Sequence, residues 1–477
     1  MEFEAVIGME VHVELDTRSK IFCACSTQFD ALPNTNVCPV CLGLPGSMPV
    51  LNRAAVDASV AAGLALHCTI SRWSKMDRKN YFYPDMAKNY QISQYDLPLC
   101  QNGWLDVILD GQTRRIGITR AHMEEDTARN VHGIGAGESG VDYNRAGVPL
   151  LEIVTEPDIR SADEAYAYLV ALKQILQYIR VSDCNMEEGS LRAEANVSLR
   201  PVGSDAFGTK TEIKNVASFS GVHKAIDFEI RRQRNILESG GTVEQATRGW
   251  DADRGITFEQ RSKESAHDYR YFPEPDLVPI VVDEGWEQEV RETLPELPRA
   301  RFERFMSRYG LSEYDAGVLT ATRDVADYFE STLVTGTDPK KAANWIMGDL
   351  QAIMAERKLD FTQCPIEPAA LAEMIALIEA GTISGKIGKE ILPEMLASGR
   401  RPKTLIEERG LVQISDRDAL EALVHEVVAA NPEPAKDYRC GNKKAFGFFM
   451  GQLMKATEGK GNPKLLTEIL REALEKE

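Results

Sequence analysis

Val6-Ile7-Gly8-Met9-Glu10-Val11-His12-Val13-Glu14-Leu15 alternates polar and apolar side chains from Met9 onward. Successive side chains of a strand point to opposite faces. Glu10, His12 and Glu14 therefore share one face, and Met9, Val11, Val13 and Leu15 the other. A period of two predicts a half-buried strand and with it a sheet-based fold. It also sets a histidine between two carboxylates, donors suited to a hard cation or to proton transfer. A strand with a solvated polar face yields the same string, so the weight rests on whether the pattern recurs.

It does recur. The stretch Ile116 to Asp126 ends in His122, Glu124, Glu125 and Asp126. Leu150-Leu151-Glu152-Ile153-Val154-Thr155-Glu156 isolates Glu152 in an apolar run, which is costly unless the carboxylate is paired or metal-bound. From Leu191 to Arg200, Arg192, Glu194, Asn196, Ser198 and Arg200 fall on one face, and Lys210, Glu212 and Lys214 alternate soon after. An antiparallel sheet with one solvated face also alternates, usually with carboxylates diluted among Thr, Lys and Ser. Collecting glutamates on one face is repulsive unless divalent cations neutralise it, and an oxygen-rich set with one imidazole favours Mg²⁺ or Mn²⁺ over Zn²⁺. Arg192, Arg200, Lys210 and Lys214 suit phosphate oxygens. The combination describes a phosphoryl-transfer site. The nearest string to a P-loop, Gly381 to Ile387, is one residue short between its glycines and lacks Ser or Thr after Lys386. A nucleotide would have to bind on the sheet.

The chain of 477 residues is long enough for about three domains. Its 43% apolar and 27% charged content is that of an ordinary globular protein. A formal net charge of −18 argues against a general nucleic-acid coat, so a polyanionic partner must meet a local basic patch. The acidic start Met1-Glu2-Phe3-Glu4 reads as neither a secretory nor a mitochondrial leader, and no apolar run is long enough for a membrane span. A cytoplasmic location is expected, where the nine cysteines serve as free thiols or metal ligands. Cys23-x-Cys25 followed by Cys38-x-x-Cys41 has the pairing of a closed, structural Zn²⁺ site, with four unliganded thiols as the alternative. Cys68, Cys100, Cys184, Cys364 and Cys440 have no partner spacing and are expected as small buried apolar residues.

Up to about residue 290 the chain is rich in β-type alternation and in Gly, Asn and Asp turns, and the few helices among the strands read as α+β. One helix is predicted from Ser161 to Ile179, with Ser161 and Glu164 as a capping box, and another from Val222 to Ser239, stopped by Gly240-Gly241. Leu294-Pro295-Glu296-Leu297-Pro298 reads as a linker. Helical periodicity follows over Arg299 to Tyr309, Asp315 to Ser331, Pro339 to Lys358 and Pro368 to Ala380. A second boundary falls near Ser398 to Pro402. Beyond it lie helices from Asp416 to Ala430, Gly441 to Ala456 and Asn462 to Lys476, the last with Pro463 at its first position. The expected division is 1–293, 294–402 and 403–477.

Two further stretches suit RNA. Lys75 to Tyr95 interleaves Tyr81 and other aromatics with cations, a composition that stacks bases at an RNA end or fills a Tyr-rich core. Within it, Arg78 to Asp85 is echoed by Asp268 to Asp276. In the tail, Lys436, Arg439, Lys443, Lys444, Lys455, Lys460 and Lys464 outnumber Asp437 and Glu458, giving either a nucleic-acid patch or an ordinary solvated helix face.

Ten segments in order carry a family resemblance. They are VIGMEVHVEL, CPVCLGLPGSMPVLN, DRKNYFYPD, ITRAHMEEDTA, DYNRAGVPLLEIVTEPD, MEEGSLRAEANVSLRP, EIKNVASF, AHDYRYFPEPDL, NWIMG and GQLMKATEGKGNP. Spread from residue 6 to residue 463, they resemble the GatB subunit of the tRNA-dependent amidotransferases over nearly the whole chain. The resemblance implies a cradle domain related in fold to glutamine synthetase, then a helical domain and a tail domain. It implies a ligase that corrects mischarged Glu-tRNA(Gln) or Asp-tRNA(Asn). In that reaction ATP and Mg²⁺ serve to phosphorylate the side-chain carboxylate, and ammonia then displaces phosphate. The ammonia would come from glutamine hydrolysis in a separate amidase component, with a small third component completing a heterotrimer. Glu10, His12, Glu125 and Glu152 match the family's metal-binding and catalytic positions. Lys79, Arg192 and Lys214 are the expected phosphate contacts, and Tyr81, Lys443, Lys444 and Lys455 the expected tRNA contacts. Some family members lack the four cysteines; this chain has all of them, so zinc is expected at Cys23, Cys25, Cys38 and Cys41. A non-catalytic tRNA-binding scaffold and a stand-alone ATP-dependent amide ligase are the two other readings of the same residues.

Overall fold

The computed structural model describes residues 2–475 apart from 136, 263–267, 413–415 and 458. Ala266 and His267 of the motif AHDYRYFPEPDL, Glu458 of the tail patch and Lys476 at the end of the last predicted helix lie outside the described residues. The chain divides into two compact units, Met1–Leu297 and Pro298–Glu477. The first is mixed α/β around a large, mostly antiparallel sheet, and the second is helical.

The alternating stretch at the start becomes the strand Phe3–Glu14, near the middle of a nine-stranded sheet. It is flanked by Pro149–Thr155 on one side and Leu191–Pro201 on the other, both antiparallel. Gln112–Glu125 pairs next to Pro149–Thr155, and Cys100–Leu109 and Thr69–Ile70 extend that edge. On the far side Thr211–Lys214, Ala246–Asp251 and Ile256–Ser262 complete the order, with one parallel pairing, between Thr211–Lys214 and Ala246–Asp251.

The apolar face of this sheet is dry. Met9, Val11, Val13, Leu151, Ile153, Ala193 and Ala195 are buried in one core with residues of the helices Arg53–Ala65, Ala162–Tyr178 and Phe219–Glu238. Burying each such aliphatic side chain contributes about 1.5–3 kcal/mol, which fixes the register, because a one-residue slip would turn the glutamates into that core. The predicted helices form close to their expected bounds. Ser161 Oγ accepts from Glu164 N at 3.1 Å, while the Glu164 carboxylate reaches one residue beyond the usual capping-box partner, to Arg160 N at 2.7 Å. Ser218 caps the next helix, which starts three residues before Val222, at Phe219.

The two echoing segments lie against each other. Phe272–Pro273 pairs with Asp77–Asn80, which pairs with Tyr90–Ser93, in a separate three-stranded sheet. Arg78 grips Glu274 through two nitrogens at 2.6 and 2.9 Å, and Asn80 N donates to Tyr269 O at 2.9 Å.

In the second unit the expected helix from Asp315 to Ser331 is two helices, Glu313–Leu319 and Arg323–Leu333. The break has a local cause: Thr322 accepts from Val325 N and restarts the chain as an N-cap. Pro339 to Lys358 is interrupted by a π-helical turn at Ile346–Leu350. Helices Arg53–Ala65, Glu284–Thr293, Gly385–Ser398, Pro402–Arg409 and Pro432–Arg439 are additional to those expected from periodicity. The unit holds two separate apolar clusters, one around Phe305, Phe329, Leu371 and Met395, the other around Leu420, Phe449, Leu453 and Leu470. Of the five unpaired cysteines, Cys68, Cys100 and Cys184 are buried as expected, Cys364 is half-buried and Cys440 is exposed. Cys440 caps the C-terminus of a short helix, where its side chain has no core to enter. Among the described residues no helix is long and apolar enough to cross a membrane.

Candidate functional site

Directly opposed residues of antiparallel strands point to the same face. The register Arg192–His12–Glu152–His122 therefore lays four ionisable side chains in one row across four strands. The neighbouring row contains Glu194 and Glu10. These residues occupy the face opposite the apolar core, and most of them are nonetheless buried or half-buried.

His12 is the hub. Its Nε2 lies 3.5 Å from Glu124 Oε1 and 3.4 Å from Glu152 Oε2, and His122 Nε2 is 3.3 Å from the same Glu152 oxygen. Burial opposes a charged His12, yet Glu152 and Glu124 raise its pKa above the ordinary imidazole value. Burial would likewise raise the Glu152 carboxyl, but His122 and His12 hold it well below the carboxylate range. The Nδ1 of buried His122 has no hydrogen-bond partner among the described residues.

Donor atoms of His12, Glu124 and Glu152 all lie within 4.8 Å of one another. Ligands at about 2.1 Å from an octahedral Mg²⁺ stand about 3–4.2 Å apart, so this donor set fits a hard divalent cation. A second group, Glu10, Glu194 and Glu212, meets the same spacing. Asn196 Nδ2 donates to Glu10 Oε1 at 2.8 Å, and Lys214 Nζ bridges Glu194 at 2.6 Å and Glu212 at 3.2 Å. Burial, with Glu152 and Glu194 adding repulsion, raises the Glu10 pKa.

The expected residues are thus only partly brought together. His12 and Glu152 meet; Glu10 sits one row away, with its own carboxylate partners. Glu125 is elsewhere: its carboxylate is paired with Lys88 Nζ and accepts from Ile92 N at 2.8 Å. Adjacent strand residues face opposite ways, so this strand aims Glu124, not Glu125, at His12. Glu124 and His122, named in the alternating stretch but not carried into the expected site, join this cluster; their two-residue spacing repeats that of Glu10 and His12.

The basic residues are mostly engaged. Arg192 Nη2 contacts Asp126 Oδ2 at 2.9 Å, and Arg145 approaches the same carboxylate at 3.6 Å. Glu14 shares this group. Burial and the neighbouring Asp126 push its pKa up to about 8. Lys79 lies over the Tyr269 ring at 5.1 Å, and Glu124 raises its pKa against the effect of burial. It also lines an open cleft of about 520 Å³ with Asn80, Tyr81, Phe82, Tyr83 and Tyr269. Tyr81 is half-buried there, edge-on to Tyr269 at 6.2 Å, so the echoing segments form the two walls of the cleft. In the second unit Lys443, Lys444 and Lys455 are exposed.

The cysteine quartet converges. Cys41 Sγ lies 3.5 Å from Cys23, 3.7 Å from Cys38 and 3.8 Å from Cys25. A tetrahedron with Zn–S of about 2.3 Å requires sulfurs about 3.8 Å apart. The four side chains can hold a structural metal, and their geometry is compatible with zinc. Hydrogen bonding from Cys23, together with Lys20, lowers the Cys41 pKa to about 4, toward the thiolate a metal needs.

Comparison with known proteins agrees along the whole chain. The family described as the GatB/GatE catalytic domain matches residues 5–288, and the GatB domain matches residues 327–474. Curated relatives named as the GatB-type subunit of aspartyl/glutamyl-tRNA(Asn/Gln) amidotransferase are similar throughout. That of Moorella thermoacetica is 58% identical over 476 residues, 99% of this chain and 100% of the relative. That of Carboxydothermus hydrogenoformans is 55% identical over 478 residues, covering 100% and 99%. That of Geobacter sulfurreducens is 55% identical over 478 residues, covering 99% and 100%.

Proposed function

The chain belongs to the GatB family of aspartyl/glutamyl-tRNA amidotransferase subunits, and from that premise we propose that its first unit activates the side-chain carboxylate of Glu-tRNA(Gln) or Asp-tRNA(Asn) for amidation. The observation that carries this reading is the cluster of His12, Glu124 and Glu152, two carboxylates and one imidazole within reach of one cation, with His122 on the same Glu152 oxygen, on a sheet whose other face is apolar core.

A carboxylate is a poor acylating group because its oxide leaves badly. Transfer of the γ-phosphoryl group of ATP onto one carboxylate oxygen forms an acyl phosphate and ADP; ammonia then attacks the carbonyl carbon, the C–O bond breaks with its electron pair going to phosphate, and one ammonia proton is lost to give the amide and hydrogen phosphate. Mg²⁺, if held here, would supply the charge neutralisation that transfer between two anions requires. Glu124, Glu152 and His12 are placed to hold it, and Glu10 extends the carboxylate face one row along the strand. Glu125, matched by family position, would act from its pairing with Lys88.

Lys79 stands between the aromatic cleft and the carboxylates, where its ammonium would meet phosphate oxygens. Arg192, oriented by Asp126, and Lys214, bridging two glutamates, would do so from the neighbouring strands. Tyr81 and its cleft offer stacking surfaces for a base at the tRNA end.

The rest of the proposal follows the family. The first unit is a glutamine synthetase-like cradle over 1–293. The two apolar clusters of the second unit support a division into a helical domain and a tail, expected at 294–402 and 403–477, with Leu405 and Ile406 packing in the first of the two clusters. The tail uses Lys443, Lys444 and Lys455 to bind tRNA. The four cysteines hold structural zinc. The chain works in the cytoplasm within a heterotrimer, where an amidase component releases ammonia from glutamine and a small third component completes the assembly. The deciding experiment is ATP consumption by the assembled complex with and without Glu-tRNA or Asp-tRNA. ADP formation that depends on the charged tRNA is expected. None, or formation indifferent to the tRNA, would leave a scaffold and overturn the activation step.

A further inference from the structure

Lys20 is fully buried, at 0% exposure, yet it forms no ion pair with a carboxylate among the described residues. Its Nζ donates to Asn36 O at 2.7 Å and to Tyr143 O at 3.2 Å, and it lies 3.5 Å from Cys41 Sγ. An ammonium removed from water needs a counter-charge. Among the described residues, the group within its hydrogen-bonding reach that can carry negative charge is Cys41 of the quartet, since the nearby Glu125 carboxylate is paired with Lys88; four thiolates around a dication carry a net double negative charge.

The carbonyl partners of Lys20 come from two different segments. Asn36 belongs to the loop between the cysteine pairs, and Tyr143 to the loop that leads into the strand Pro149–Thr155. The same two segments are stitched side by side. Asn34 N donates to Asp142 Oδ1 at 3.1 Å, Asn36 N to Asn144 Oδ1 at 2.8 Å, and Tyr143 N to Asn34 Oδ1 at 2.8 Å. Gly147 has φ +84°, and a Cβ added there would stand 3.5 Å from Lys20 Cδ, so the loop backbone runs along the lysine stem. This loop then enters the polar sheet face. Arg145 donates to Thr127 O at 3.0 Å and approaches Asp126 at 3.6 Å, Gly147 N donates to Asp126 O at 2.9 Å, and Asp126 orients Arg192.

We propose that Lys20 is a positioning residue that offsets the thiolate charge of the four-cysteine metal centre and fastens that centre to the 142–147 loop orienting Asp126 and Arg192. The proposal rests on the reading of the quartet as a metal site but on no step of the tRNA chemistry. Hydrogen-bonding partners of metal ligands commonly govern affinity by about 10- to 100-fold.

The test uses the full-length protein as wild type, Lys20→Met and Lys20→Arg. Zinc content, the rate of zinc transfer to a chromogenic chelator, and the sulfur-to-cobalt charge-transfer band of the Co²⁺-substituted protein are measured. Lys20→Met is expected to release zinc about 10- to 100-fold faster and to shift the band. Lys20→Arg, which keeps the charge, should remain close to wild type in both. Where Lys20→Met does not fold, Lys20→Gln retains a donor without the charge and should show the same faster release. A neutral variant with wild-type release and an unmoved band overturns the role of Lys20. A wild-type protein without metal overturns the centre itself, whatever its activity on tRNA.

Discussion

Glu152 on the sheet face and Glu330 in the helical unit are both carboxylates held below their ordinary range, in opposite ways. Glu330 has a surplus of partners. Arg304 Nη1 contacts it at 2.6 Å, Arg301 Nη2 at 2.7 Å and Tyr309 OH at 2.8 Å, and against the cost of burial these hold its pKa at about 2. Glu152 has two imidazoles for partners, with Glu124 and Glu10 crowding the same face. Around Glu330 positive charge exceeds negative and the group is complete. Around Glu152 the carboxylates of Glu124 and Glu10 converge, met by two imidazoles that are cationic only when protonated and by Lys79. A carboxylate fully paired with fixed cations marks structure; converging carboxylates and imidazoles mark a candidate place for a ligand.

The largest expected effect breaks the sheet-face side of this comparison. In the assembled complex, His12→Ala or Glu152→Gln should lower amidation of Glu-tRNA by roughly 10²–10³-fold, the scale of losing a group that stabilises transition-state charge, while glutamine hydrolysis continues. Amidation within a few-fold of wild type would make the row merely structural. Next comes the helical side. Glu330→Ala should destabilise the unit by about 2 kcal/mol, less than the loss at a dry ion pair because the group is partly exposed, with little change in amidation at low temperature. Thermal unfolding together with initial rates separates the two effects.

The tail tests whether exposed positive charge elsewhere is also functional. Lys443→Glu with Lys444→Glu should weaken tRNA binding by about 10-fold and lessen its salt dependence, without touching ATP or Mg²⁺ binding. Unchanged affinity in a filter-binding titration would return the patch to ordinary solvated surface. The smallest effect is one of pH. The folded-state pKa of Glu330 is depressed from 4.5 to about 2. Its stabilising contribution is therefore full above about pH 4.5 and is lost as pH falls through about 2. Denaturation midpoints followed from pH 5 to pH 2 should fall less steeply in Glu330→Gln; parallel slopes would remove this carboxylate from the acid response.

Much of the first unit is legible in the residues. Alternation in five stretches locates the strands Phe3–Glu14, Gln112–Glu125, Pro149–Thr155, Leu191–Pro201 and Thr211–Lys214, which are consecutive in the sheet. Burial of one face and polarity of the other leave a period of two that needs no tertiary knowledge. The choice between Glu124 and Glu125 is not legible from the family match. It depends on which carboxylate shares the face of His122, which the period of two gives as Glu124; the register then decides that this face meets Glu152 and His12. The segment from Asp315 to Ser331 keeps its helical period across a break, because both helices bury the same kind of stripe and only the Thr322 cap separates them. Cys440, expected inside on composition alone, lies outside because it ends a helix at the surface.

By itself the sequence determined the polar and apolar faces of the strands, the family, the cysteine pairs and the approximate helices, since each is a matter of local spacing. Only the tertiary structure decided which residues of different strands share a row, that His122 and Glu124 join His12 and Glu152, that the echoing segments wall one cleft, and that Lys20 is buried against the cysteines. Side chains many residues apart meet through strand order and register. Those are set by how the apolar face packs on its helices, which no single stretch of the chain encodes.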